Sequence, residues 1–281
     1  MSHLEEISEE GIRAMAQSGS VAVLLPSTAF ILRLTPPPAR RLIESNVIVA
    51  LGSDFNPNAY CLAMPMIMHF ACVTMKLSMP EALTAATLNS AHSIGRGKTH
   101  GAIARGRNAD FLILSAQSWE HIIYRIAAHH DVISCVIKNG NVVQGKKKND
   151  NRLEPSLVNT DGDRSPGSER QELLAVLQSG VPLALPCSIR KFPNAYCLAM
   201  PMIMHFACVT MKLSMPEALT AATLNSAHSI GRGKTHGAIA RGRNADFLIL
   251  SAQSWEHNIY RIAAHHDVIS CVIKNGNVVQ V

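Results

Sequence analysis

No apolar run in this chain is long enough to cross a bilayer. The longest, CLAMPMIMHFACVTM at 61–75, has 15 residues and holds a histidine and a proline, so a membrane partner is not expected. No CxxC pair occurs and no secretory signal opens the chain. Reduced thiols in the cytoplasm are therefore expected. A formal charge of +6 has no concentrated basic patch behind it apart from Lys146, Lys147 and Lys148, and nucleic acid is not expected as a partner. GRGKT at 95–99 has His92 where a phosphate-binding loop needs glycine.

Much of what remains is present twice. Residues 57–144 and 193–280 match at 87 of 88 positions, and the one difference is Ile122 against Asn258. Six of the 7 cysteines and twelve of the 13 histidines are therefore paired copies, and the near-even cysteine count is no disulfide framework. Each copy carries 7 Lys and Arg and 4 Asp and Glu, so the two supply the whole +6 and the rest of the chain is neutral. So close a match reads as a recent tandem duplication or an error in assembling the coding sequence. The copy begins just past ALGSDFN, so Asp54 is not repeated.

Ser8 with Glu9 and Glu10 behind it, an apolar Ile12/Met15/Ala16 face and Gly19 beyond predict a capped helix over 9–17. VAVLLP at 21–26 and VIVALGS at 47–53 read as buried strands, with a helix opened by proline over 37–46 between them. Strand, helix, strand with both strands apolar on each face predicts α/β architecture with a parallel sheet. A Met-rich helix is expected over 62–76, and SMPE at 78–81 is a capping box opening a helix through Leu88. ADFLILS, a helix near WEHIIYRIA and a hairpin at Asn139–Gly140 suggest a small mixed β module. The charged, Ser/Gly/Pro-rich stretch after Gly145 reads as a flexible linker.

Asp54 follows a buried strand, where α/β barrels place their chemistry. Metal or acid–base work and a turn or capping role both suit it. Asn56 and Asn58 offer paired amides for a substrate, or Asx turns around Pro57. His3 stands among polar residues at the chain start as an exposed imidazole. His129 and His130 beside Asp131 look like a metal cluster, but neighbours on one turn are expected to point apart and to serve structure. Cys61 and Cys72 are expected in the core.

The blocks VALGSDFNPNAYCLAMPMIMHFACV, SHLEEISEEGI, AVLLPSTAF and WEHIIYRIAAHHDVI resemble the imidazolonepropionase family of the amidohydrolase superfamily, its animal form in particular. The resemblance runs from residue 2 to about 144 and resumes over 193–280. It implies a hydrolase of histidine degradation that opens the cyclic amide of 4-imidazolone-5-propanoate to N-formimidoyl-L-glutamate, using one zinc or iron ion in a TIM-like barrel. By position, Asp54 is implied as metal ligand and base, Asn56 and Asn58 as substrate contacts, and His3 as the group that polarises the scissile carbonyl.

On that reading residues 1–100 are a partial barrel, 101–144 a small composite β module, 145–180 a linker and 181–281 a duplicated helical and β segment. The family's HxH pair and its further metal histidine do not occur in the chain, while a catalytic zinc takes about three protein ligands. Three of eight strands do not close a barrel, which predicts unpaired strand edges. A non-catalytic binding or assembly protein is the competing expectation, as a homo-oligomer or in association with a full-length homologue.

Overall fold

The computed structural model describes residues 1–57, 59–145 and 199–280. The first helix, α1 (Glu9–Ser18), is capped as expected: Ser8 Oγ accepts from the Gly11 amide, and Gly19 closes the helix at φ 66°. Ile12 and Met15 are its buried face. Two strands follow, β1 (Ala22–Leu24) and β2 (Val49–Leu51), paired in parallel with Ala22 opposite Val49. The apolar runs predict longer strands, but Pro26 opens helix α2 (Pro26–Ile31) at once, since the first helical turn needs no amide donor there. A second short helix, α3 (Ala39–Glu44), returns the chain to β2.

Ser2 bridges Val23 in parallel on the other side of β1, and the Val23 amide donates to the Met1 carbonyl at 2.8 Å. Three parallel segments thus lie in the order Ser2, β1, β2. Among the described residues no strand pairs with the outer edge of β2, as a partial barrel predicts, but its carbonyls are not bare. Asn89 Nδ2 donates to the Val49 carbonyl at 2.8 Å and Ser90 Oγ to the Leu51 carbonyl at 2.9 Å. Side chains take the place of a neighbouring strand, because buried carbonyls without partners are costly.

Helix α4 (Met64–Met75) ends at Lys76, whose φ of 60° stops the helix in the left-handed region. The Ser78/Glu81 capping box starts α5 (Met79–Thr84), which runs through a π turn at Ala85–Asn89 into α6 (Ser90–Ser93). Strand β3 (Phe111–Leu114), the single turn α7 (His121–Tyr124), a 3₁₀ turn at His129–Asp131, and strands β4 (Ile133–Lys138) and β5 (Asn141–Gly145) complete the first copy. The three strands form an antiparallel sheet in the order β3-β4-β5. Its hairpin turns at Asn139 and Gly140, both at positive φ, 50° and 78°.

The second copy repeats these elements: α8 (Met200–Thr210), α9 (Met215–Thr220), a π turn at Ala221–Asn225, α10 (Ser226–Ser229), β6 (Phe247–Leu250), α11 (His257–Tyr260), a 3₁₀ turn at His265–Asp267, β7 (Ile269–Lys274) and β8 (Asn277–Gln280). The expected linker lies, beyond Gly145, outside the described residues. Among the described residues no helix is long and apolar enough to cross a membrane.

The main core gathers around β1 and β2. Leu24, Leu42, Met66 and Ile67 are almost wholly buried there, each contributing about 1.5 to 3 kcal/mol of transfer free energy. Phe30 of α2 stacks on Phe70 of α4 with ring centroids 4.6 Å apart. The second copy docks on this face: Phe206 meets Phe30 edge-on at 5.7 Å, and Met202, Ile262 and Ala263 belong to the same core. A smaller core of its own holds Met204, Ala207, Ala218, Ala221 and Ile259.

Candidate active site

His3 and Asp54 both lie beyond the carboxyl ends of the parallel segments that flank β1. Ser2 is in register with Val23 and Val23 with Ala50, so His3 stands one residue past that level and Asp54 four. Both leave the sheet through left-handed backbone: φ is 69° at His3, 74° at Leu4 and 47° at Asp54. Asp tolerates that conformation, but for a bulky residue such as Leu4 it is strained. Strain of this kind turns the chain sharply at the strand ends.

A buried hydroxyl fixes the acid. Thr28 Oγ1, at the start of α2, donates to Asp54 Oδ2 at 2.9 Å, while Ser27 Oγ donates to the Ser53 carbonyl at 3.0 Å. Asn56 turns back on the same loop, its Nδ2 donating to the Asp54 carbonyl at 2.7 Å. Asn56 and Ala59 also form an antiparallel bridge around Pro57. The Asn56 side-chain bond runs from the amide nitrogen back to a carbonyl two residues earlier, so it is not the Asx turn open to Asn56 in the sequence, in which the side-chain oxygen accepts from an amide two residues on. Asn58 lies outside the described residues.

His3 goes elsewhere. Its ring is about half exposed (48%), and Nδ1 lies 3.7 Å from Glu5 Oε1, an ion pair if protonated. The structure brings Asp54 and Asn56 together on one loop and leaves His3 on the same rim with a different partner. A cleft of about 630 Å³ opens beside α1, lined by Met1, Leu4, Ile7 and Met15 among others, and neither His3 nor Asp54 lines it.

One carboxylate oxygen is held by Thr28 and the imidazole is paired with Glu5. Among the described residues no group of three or more His, Cys, Asp and Glu side chains is gathered to hold a metal ion. The residues present therefore do not by themselves fit the zinc or iron ion that the resemblance implies.

Three residues that sequence reasoning passed over matter here. Thr28 sits in AVLLPSTAF, a block quoted for the resemblance, but nothing in its spacing showed that it reaches 26 positions ahead to Asp54. Tyr260 and Ile262 of the second copy reach the site loop itself. The Tyr260 hydroxyl donates to the Pro57 carbonyl, and the Ile262 amide donates to the Tyr60 carbonyl at 3.3 Å. A further correction concerns His129 and His130: instead of pointing apart, their rings are in contact, tilted by 40° with centroids 3.9 Å apart. Cys61 is a core residue, as expected, whereas Cys72 packs against the core half-buried; burial pushes both thiols up to about 11.

The model of the Amidohydrolase family matches residues 1–144 and 184–280. A "Probable imidazolonepropionase" of Nematostella vectensis is 56% identical over 147 residues, covering 52% of this chain and 34% of the relative. The Homo sapiens protein of the same description is 54% identical over 143 residues, 51% of this chain and 34% of its own length. This chain thus spans about a third of the length of the curated relatives it matches. Among solved structures, an adenosine deaminase from Xanthomonas campestris with bound zinc superposes with a TM-score of 0.46 at 26% identity, over 50% of this chain and 36% of that one. With both copies matched to one family model over well more than half of its residues, the chain belongs to the amidohydrolase family.

Proposed function

We propose that the first copy and the strands before it form the sixth- to eighth-strand portion of an imidazolonepropionase-type hydrolase, which opens the cyclic amide of 4-imidazolone-5-propanoate to N-formimidoyl-L-glutamate. The observation that carries this reading is the placement of Asp54 at the carboxyl end of a buried parallel strand, its carboxylate oriented by a buried threonine. A carboxylate so held accepts a proton from attacking water and returns it to the leaving nitrogen. Asn56 and Asn58 follow on the same loop as substrate contacts, and His3 is the rim imidazole that steadies the carbonyl oxygen. The family's zinc or iron is part of this proposal only with ligands from another polypeptide, such as a full-length homologue, and no step is assigned to it here. The partial barrel, the β module at 101–144 and the duplicated segment at 181–281 are part of the same reading.

A specific observation favours the competing, non-catalytic reading: Asp54 and His3 each bond within their own surroundings, and Tyr260 and Ile262 bond to the loop between them and α4. One assay separates the two. Loss of the imidazolone chromophore is followed with the purified chain alone, and then with a polypeptide carrying the HxH half of an animal relative. Turnover on mixing that disappears with Asp54→Asn supports the hydrolase. No turnover after mixing overturns it, whereas turnover by the chain alone supports hydrolysis and overturns only the need for ligands from a second polypeptide.

A further inference from the structure

Four histidines meet where the two copies dock. His129 and His130 come from the 3₁₀ turn of the first copy, and His265 and His266 from the same turn of the second. The His130 and His266 rings lie 4.0 Å apart, and His265 and His266 5.6 Å. His130 Nε2 faces the Ala263 carbonyl at 3.5 Å. His129 is buried, and Nδ1 of both His129 and His265 has no hydrogen-bond partner. The charged groups facing the cluster are Asp131 and Asp267; Asp267 lies 3.4 Å from His266 Nε2, on the exposed side.

We propose that this cluster is a pH-sensitive latch, closed while the imidazoles are neutral and opened by their protonation, that holds the second copy over the loop bearing Asp54 and Asn56. Neutral rings pack against one another at van der Waals distance, whereas imidazolium rings at about 4 Å repel, an effect that solvent screens at the exposed His130 and His266 and screens less at the buried His129. Burial is the main cause that lowers His129 to about 3 and His265 to about 4, with the neighbouring histidines adding to it, and it lowers His130 in the same sense. Groups lowered on docking stabilise the docked state fully above their free value of about 6.5 and lose that contribution as pH falls toward the docked values. Each contributes up to about tenfold per pH unit across that window. Because the docked copy bonds to Pro57 and Tyr60, its release also frees the site loop. The latch itself does not depend on the proposed hydrolase activity.

The test follows the Ile262 amide, which donates across the interface, by NMR-detected hydrogen exchange in the full chain, corrected for the intrinsic pH dependence of exchange. Protection is expected to fall about 100-fold between pH 6.5 and pH 4.5. The double variant His129→Gln/His130→Gln is expected to keep less than tenfold of that dependence. His205→Gln is expected to keep all of it, although His205 is also buried and lowered to about 4. A fall that persists in the double variant, or that vanishes with His205→Gln, overturns the latch. Should the double variant not fold, the wild-type histidine ring resonances decide: titration in step with the Ile262 amide supports the proposal, and titration with the amide still protected overturns it.

Discussion

The two copies differ at a single position, yet they are not packed alike. Helix α4 buries Met66, Ile67, Met68, Phe70, Ala71 and Met75, whereas its twin α8 buries Met202, Met204, His205 and Ala207. Phe70 is inside, while Phe206 is only partly covered. What separates them is the neighbour: α4 packs against α2 beside the parallel pair β1 and β2, and α8 has to share that same face from outside. A Met-rich helix with apolar residues around much of its circumference does not choose one buried face by itself. Tertiary context chooses it, so identical sequence yields a main core in one place and a satellite core in the other.

The largest expected break in this comparison is at the one differing position. Ile122 is buried in the main core, whereas Asn258 is equally enclosed and its Oδ1 has no partner. Ile122→Asn is expected to destabilise the first copy by roughly 2 to 4 kcal/mol. The reverse change, Asn258→Ile, should stabilise the second copy by about 2 kcal/mol. Urea unfolding with copy-specific NMR probes measures both, and opposite signs of similar size are the expected result.

A smaller effect is expected at the strand cap. Asn89 and Ser90 satisfy the outer carbonyls of β2, while no strand lies beside Asn225 and Ser226 among the described residues. Asn89→Ala should therefore cost about 1 to 2 kcal/mol and Asn225→Ala less than about 0.5. Equal costs, read from the same unfolding curves, would remove strand capping from the account.

Smaller still is the contrast between the two capping boxes. Glu81 accepts two bonds from Arg40, at 2.7 and 2.9 Å, in addition to its bond with Ser78, while Glu217 has the Ser214 partnership of its own box. The Arg40 bond is the main cause that holds the Glu81 carboxyl at about 2, with the Ser78 amide adding to it. A lowered carboxyl contributes stability above its free value near 4.5 and loses it as pH falls toward 2. Both side chains are a third exposed, so solvent screening reduces the pair to about 1 kcal/mol. Stability measured from pH 5 to pH 2.5 should fall less steeply in Glu81→Gln than in Glu217→Gln.

Local signals in the sequence were the ones that carried through to the structure. Ser8 and Gly19 cap α1, SMPE forms its capping box in both copies, and Asn139–Gly140 turns its hairpin, since each depends on residues a few positions apart. The parallel pairing of β1 with β2 was legible from two apolar runs around a helix. At the site, the position of Asp54 was legible but its orientation was not, because Thr28 reaches it through the fold. His3 beside Glu5 and the tilted His129 and His130 rings depend on the local path of the chain, and Tyr260 over Pro57 on how separate segments dock. No periodicity or spacing reports that.

The account rests on the parallel strands deciding which of two identical segments is the main core. Native-state hydrogen exchange, read by NMR at the amides of Phe70 and Phe206 in the same molecule, tests this most directly. Phe70 is expected to exchange at least about tenfold more slowly than Phe206. Equal rates, or slower exchange at Phe206, would contradict it.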